Sequence, residues 1–309
     1  MKYAKFYLPL LVLILARLSL QPLFVDRSLG SKANPIRIAL TPSVDAQKVT
    51  ANGERLRIFL EEQTGYSFSI VVPASYIAVV ETFGSGAADI AAINTFGYLL
   101  ANRKYGAEAV LRIVRRDGET EYKGQFIAHV DSGIDSIYQL QGRRFAYTDP
   151  SSTSGFILPK AILRTMNIKP AEEVFAGKHD NVVTMIYQKQ VDAGATYYSP
   201  PDRKTGEILD ARARVVKQFP DVYRKIRIIG FTQSIPNDPI IMRKDFPADM
   251  KRRIISALLA FQSTPEGKRA LFEIYSVDGL MPGKDSDYDA LRAIINEQNV
   301  DVENLMKKK

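Results

Sequence analysis

Pro35-Ile36-Arg37-Ile38-Ala39-Leu40, the run Ser67 to Val72 and Asp89-Ile90-Ala91-Ala92-Ile93 are three short apolar stretches whose spacing decides the fold class. The first alternates as a half-buried strand does, and the second is rich in strand-forming residues. The third is short and continuously apolar, the pattern of a strand covered on both faces. Between the first two, Leu56, Phe59 and Leu60 recur at helical spacing, and Thr64-Gly65 supplies a helix stop. Between the second and third, Ser75 to Thr82 reads as a helix that ends among Gly84 and Gly86. The result is a β-α-β-α-β rhythm with short connections, which predicts α/β layers around a mainly parallel sheet.

Working outward, the rhythm restarts with Gln125 to Val130, Arg144 to Thr148, a helix after Gly155, and Val191 to Thr196. An irregular insert rich in proline and charge follows near residues 199–222. Ile226 to Phe231 and Ile240 to Arg243 read as two more strands, and three helices close the chain. Thr264-Pro265 is a good cap and first helical position, and Ser286-Asp287-Tyr288-Asp289 resembles a capping box. Two α/β units followed by a return segment predict two lobes joined by two crossings. Residues 31–124 plus 235–309 would form one lobe and residues 125–234 the other. In such folds ligands sit at the carboxyl ends of strands, where helix N-termini meet the crevice.

Composition narrows the chemistry. The chain of 309 residues has no cysteine and two histidines, His129 and His179. Disulfides, thiolate catalysis, a lipidated cysteine and multi-histidine metal centres are all excluded. The net charge of +8 is spread along the chain, with a run only at Lys307, Lys308 and Lys309. That distribution reads as solvated surface, with no nucleic-acid patch. Lys2 and Lys5 precede an apolar run from Phe6 to Ala16; Arg17 interrupts it and Leu18 to Val25 resumes it. Residues 1–30 therefore read either as a cleaved export signal or as an uncleaved membrane anchor, and both place the body of the chain outside the cytoplasm. Residues 26–34 read as a linker.

The segment richest in chemistry is Asp149-Pro150-Ser151-Ser152-Thr153-Ser154-Gly155-Phe156. It follows a strand and precedes a helix-like run. Small hydroxyl residues at a helix start leave backbone N–H groups free beside the positive end of the helix dipole, a ready site for an anion. The same residues serve equally well as a simple cap. Pro159 fits only the first turn of that helix or a kink. Two further segments carry weaker signals: Phe175-Ala176-Gly177-Lys178-His179-Asp180 and Ile235-Pro236-Asn237-Asp238-Pro239. Taken singly, His179 reads as a structural residue, Asp238 as a turn former, and Tyr76 and Tyr122 as packed aromatics.

In order and spacing, Ser75-Tyr76, the Ser152-Thr153-Ser154-Gly155 turn with Pro159, Gly177-Lys178-His179, Val191-Asp192-Ala193 and Pro236-Asn237-Asp238-Pro239 form a set. The chain from Pro35 to the last helix resembles the phosphate/phosphite/phosphonate-binding (PhnD-like) family of ABC importer periplasmic proteins. The resemblance implies a class II periplasmic-binding-protein fold, two α/β lobes with the ligand cleft between them. It implies that Ser152, Thr153 and Ser154 hold the phosphorus oxygens, joined by Tyr76, Tyr122, His179 and Asp238. It further implies a monomer without cofactor, delivering its ligand to a membrane permease by lobe closure. A carboxylate at Asp238 would favour an oxyanion that still carries a proton and reject fully ionised sulfate. One departure stands out. Members that bind aminoalkylphosphonates place a carboxylate where this chain has Ser199, with Asp202 nearby. The expected ligand therefore lacks an amine: phosphite, phosphate or a short alkylphosphonate.

Two other classes compete. A sensor module of the same fold, tethered by its N-terminus and signalling to a kinase, differs in its partner alone. A hydrolase would need a metal cluster or an activated nucleophile; Ser152 or Ser154 with His179 is the pair that could imitate one.

Overall fold

The computed structural model describes residues 25–297, so most of the segment read as signal or anchor, residues 1–24 of 1–30, lies outside the described residues. Among the described residues no helix is long and apolar enough to cross a membrane.

Strands β1 (Ile36–Leu40), β2 (Phe68–Val71), β3 (Ile90–Ala92), β4 (Glu108–Val114), β10 (Pro239–Met242) and β11 (Gly279–Pro282) form one sheet, in the order β11-β4-β10-β3-β1-β2. A second sheet has the order β7-β6-β8-β5-β9, built from β5 (Glu121–His129), β6 (Arg144–Tyr147), β7 (Glu172–Phe175), β8 (Ala193–Tyr198) and β9 (Ile226–Pro236). The three runs that opened the sequence reading are β1, β2 and β3, and β1 pairs in parallel with both others. Helix α1 (Ala46–Thr64) joins β1 to β2; Asp45 accepts the Gln47 and Lys48 N–H groups at its start and Gly65, at φ 73°, ends it. Its buried face carries Val49, Leu56 and Leu60. Gly53 lies on that face because a side chain there would press on Leu40 and Ile70 of the sheet below. Helices α2 (Tyr76–Gly84) and α3 (Thr95–Tyr105) complete the first α/β run.

The sheets are mixed rather than mainly parallel. The pairs β1–β2, β1–β3, β6–β7 and β6–β8 are parallel. Every pairing of β10, β11, β5 and β9 is antiparallel. The reason is topological: β5 and β10 enter from the other sheet, β11 follows the C-terminal helices and β9 follows the irregular insert, so no regular βαβ crossover sets their pairing. Three strands were not anticipated. Glu108–Val114 and Glu172–Phe175 each carry glutamates that mask a short apolar core, and Gly279–Pro282 begins and ends on strand breakers.

The chain passes to the second sheet between β4 and β5 and returns between β9 and β10. The expected boundaries at 124/125 and 234/235 fall inside β5 and β9, because both strands extend past the apolar stretches that marked them. Fully buried Asn237 ties the crossings together: its amide donates to Ile113 O (3.0 Å) and Glu119 O (2.8 Å), and its N–H to Thr120 O. Residues 26–34 are not a free linker, since the Ser67 N–H donates to Gly30 O at 2.7 Å and Ser31 pairs with Asn34.

Helices α4 (Leu158–Thr165) and α5 (His179–Tyr187) cover the second sheet. Helices α6 (Ala248–Phe261), α7 (Pro265–Tyr275) and α8 (Asp289–Glu297) close the chain as expected. Thr264 caps α7 by accepting the Gly267 N–H. The anticipated box at Ser286 differs: Asp287 reaches back to the Lys284 N–H at 3.0 Å, and a 3-10 turn, Asp285–Tyr288, leads into α8.

Candidate ligand-binding site

Strand β6 ends at Tyr147, and Thr153–Ile157 then form a single wide helical turn that feeds α4. The N–H groups of Phe156 and Ile157 both reach Ser152 O (3.0 and 2.9 Å), and the Gly155 N–H donates to Ser152 Oγ at 3.1 Å. A turn of this width recurs at functional sites. It places Pro159 in the first turn of α4, where the missing N–H costs nothing. As the first two N–H groups of the turn, those of Thr153 and Ser154 have no backbone partner among the described residues. A Cβ on Gly155 would collide with the Thr148 side chain, so the turn packs against the end of β6 only with glycine there.

The seven residues picked out in the sequence come from five places in the chain and all line one cavity of about 60 Å³ between the two sheets. Tyr76 is the first residue of α2, Tyr122 lies near the start of β5, His179 begins α5 and Asp238 sits in the crossing before β10. All but Asp238, which is partly exposed, are buried. Three helical starts thus converge on a space sized for a small ion.

Each group's donors and acceptors are set by its neighbours. The Tyr76 hydroxyl is buried with no partner among the described residues, and burial together with Asp149 and Asp238 pushes its ionisation well up, so it remains a donor. Ser154 Oγ has no partner among the described residues. The Thr95 N–H (3.1 Å) and the Tyr122 hydroxyl (3.3 Å) donate to Asp238 Oδ1, and the Thr95 hydroxyl lies 3.0 Å away. These contacts converge on Oδ1 and leave Oδ2 to accept from something else. Burial nevertheless holds the Asp238 carboxyl above its usual range, partly offset by Arg115.

His179 Nδ1 accepts the Tyr197 N–H at 3.3 Å and lies 3.1 Å from Thr148 Oγ1. A backbone N–H can only donate, so the ring proton sits on Nε2. Burial, with Arg115 and Arg214 behind it, lowers the His179 pKa to about 3. The ring is therefore neutral near pH 7, with Nε2–H as its donor.

Residues 38–288 match the family described as "ABC transporter, phosphonate, periplasmic substrate-binding protein". The chain belongs to this family. Its members are substrate-binding transport proteins of the periplasm that work with ABC permeases. The binding protein is 25% identical over 277 residues to a phosphate-import protein of Mycolicibacterium smegmatis, covering 84% of each chain. In fold it is similar to a binding component of an ABC phosphonate transporter from Pseudomonas aeruginosa, with a TM-score of 0.74, 19% identity and coverage of 85% and 86%. It is similar also to PhnD1 from Prochlorococcus marinus, solved in complex with methylphosphonate, with a TM-score of 0.71, 16% identity and coverage of 89% and 99%. The architecture is the class II two-lobed fold.

The binding protein places neither amine-pairing candidate at its cavity. Ser199 is buried elsewhere with its hydroxyl unpartnered. Asp202 accepts the Lys204 and Thr205 N–H groups, both at 2.8 Å, and faces Arg116 at 3.3 Å. Asn94, Arg115, Arg214 and Tyr275 are among the lining residues that sequence reasoning missed. Asn94 and Arg115 follow strands as binding residues often do, but neither sits in a distinctive motif. Arg214 lies in the irregular insert, where spacing carries no signal.

His179 gives the binding protein a specific acid response. The unfolded chain protonates this ring near 6.5 and the folded one near 3. Its contribution to stability is therefore complete above pH 6.5 and declines below it, by about 1.4 kcal/mol per pH unit. Urea midpoints of wild type and His179→Gln, taken at about pH 7, 6, 5 and 4, should converge as the pH falls. A constant gap between them would contradict a neutral His179.

Proposed function

We propose that this protein is the extracytoplasmic binding component of an ABC importer and captures a small phosphorus oxyanion without an amine: phosphite, phosphate or a short alkylphosphonate. The supporting observation is the set of free groups around one small cavity. Tyr76, Ser154, the Thr153 and Ser154 N–H groups and His179 Nε2 offer neutral donors, while Asp238 Oδ2 offers one acceptor. A tetrahedral anion carrying one proton matches that set, its P–OH pointing at Asp238 and its other oxygens at the donors. Sulfate has no such proton and leaves two negative oxygens face to face.

Capture proceeds by lobe closure. Thr153 Oγ1 accepts the Phe96 N–H (2.9 Å) and the Asn94 amide (3.2 Å), and that amide also donates to Ser151 O (2.8 Å). Phe96 and Asn94 stand at the start of α3 in one lobe, and Thr153 belongs to the other. A ligand held by both lobes stabilises the closed form, whose surface a permease reads. No bond is made or broken in this cycle.

Calorimetry on the purified full chain tests the reading with phosphite, phosphate, methylphosphonate, 2-aminoethylphosphonate and sulfate. Tight binding of an amine-free phosphorus ligand with no heat from sulfate is the expected result. Silence across the phosphorus ligands would overturn it.

A further inference from the structure

The cavity holds more positive charge than a phosphorus head group uses. Arg115 and Arg214 both line it, and neither has a carboxylate within ion-pair distance among the described residues. Arg115 is 6% exposed. Its Nε donates to Asn237 Oδ1 (3.2 Å) and its Nη1 to Tyr275 O (3.1 Å), while Nη2 makes no hydrogen bond among the described residues. Its guanidinium lies 4.8 Å from the Tyr122 ring centre and 5.9 Å from that of Tyr197. Half-buried Arg214 reaches the hydroxyl of the same tyrosine, Nε to Tyr197 hydroxyl at 3.1 Å, and extends to Glu273 O (3.2 Å) and Ser276 Oγ (2.5 Å) at the end of α7.

Buried charges in proteins are paired or bind an ion. The head-group donors described above are all neutral, and the one nearby carboxylate, Asp238, is engaged by Thr95 and Tyr122. Two guanidinium groups, both near Tyr197, are thus left over, on the wall made by the first crossing and the 199–222 insert. We propose that Arg115 and Arg214 form a second anion subsite in the cavity, which takes a carboxylate carried on a short phosphonate. The proposal rests on the phosphorus reading above and names the ligand class within it. The same pair repels an ammonium group, which supplies a physical reason for excluding aminoalkyl ligands, independent of residue 199.

Phosphonoacetate, ethylphosphonate and 2-aminoethylphosphonate share a two-carbon tail that ends in a carboxylate, a methyl and an ammonium. Titrated into the full chain, phosphonoacetate is expected to bind about tenfold or more tighter than ethylphosphonate, with the aminoethyl compound weakest. Arg214→Gln should erase the difference between the first two. Because Arg214 also bridges the lobes, this variant weakens all three ligands together; only the ratio reports contact with the tail. Arg115→Lys, which keeps the charge and loses the fork, should reduce the ratio without abolishing it. Equal affinity for phosphonoacetate and ethylphosphonate, or an unchanged ratio in Arg214→Gln, would overturn the subsite and leave the phosphorus reading standing. Silence toward all three ligands and toward phosphite and phosphate would overturn both.

Discussion

Asp238→Asn is expected to raise the melting temperature of the ligand-free protein near neutral pH and to admit sulfate to the cavity. The two effects have one cause. Burial raises the Asp238 pKa above its ordinary 3.8, so the ionised carboxylate is less favourable in the folded protein than in the unfolded one. That cost is fully present above the folded pKa and disappears below the unfolded value. Asparagine removes it while its oxygen still accepts from Thr95 and Tyr122, so the variant should melt above the wild type. Melting curves at about pH 7.5 and about pH 4 should show the difference between variant and wild type shrinking as the pH falls.

On the ligand side, the substitution replaces the acceptor at Oδ2 by an N–H donor. A protonated oxyanion loses its acceptor, and a fully ionised one gains a donor in place of a repulsive charge. Selectivity for phosphorus ligand over sulfate should fall by about a hundredfold or more, from the charge-assisted bond lost on one side and the repulsion relieved on the other. Calorimetry with both anions reads the change. Sulfate still excluded from Asp238→Asn would show that another group rejects it.

Thr153→Val carries the second large effect, through closure. The side chains have nearly the same shape, but the hydroxyl oxygen accepts two bonds from the opposite lobe, from the Phe96 N–H and the Asn94 amide. Asn94 is the cap residue of α3 yet makes no capping bond of its own. The start of that helix is instead completed from elsewhere, by Asp238 at Thr95 and by Thr153 at Phe96. With valine, the Phe96 N–H is buried without a partner in the closed form and reaches water in the open one, while the Asn94 amide keeps only its bond to Ser151 O. At about 1–3 kcal/mol for the unpaired N–H, affinity should fall by about tenfold or more. The melting temperature of the ligand-free protein should move little. X-ray scattering with saturating ligand supplies the independent readout: wild type contracts on binding, and the variant contracts only at much higher ligand concentration. Equal affinities would mean that these interlobe bonds do not contribute to closure.

Local pattern made the α/β architecture and three of the cavity residues, Ser152, Thr153 and Ser154, legible in the sequence. Strand alternation and helical spacing are written in consecutive residues, so β1, β2, β3 and α1 could be read directly. The Ser152–Ser154 turn announces itself because small hydroxyl residues before a helix have few other uses. Tyr76, Tyr122, His179 and Asp238 carried no such signal alone and entered through the resemblance of the whole motif set.

Other features depended on residues far apart in the chain. The mixed sheets arise because β10 and β11 return to the first sheet after the whole second lobe has intervened. The neutral state of His179 depends on Tyr197, on depth of burial and on two arginines. Those arginines sit in a crossing and an irregular insert, where neither periodicity nor spacing marks a binding residue. Sequence alone determined which groups could bind an oxyanion, since hydroxyls, N–H groups and one carboxylate are local chemistry. Only the tertiary structure decided what charge those groups meet in the cavity, because burial and proximity set the electrostatics and both are properties of the folded chain.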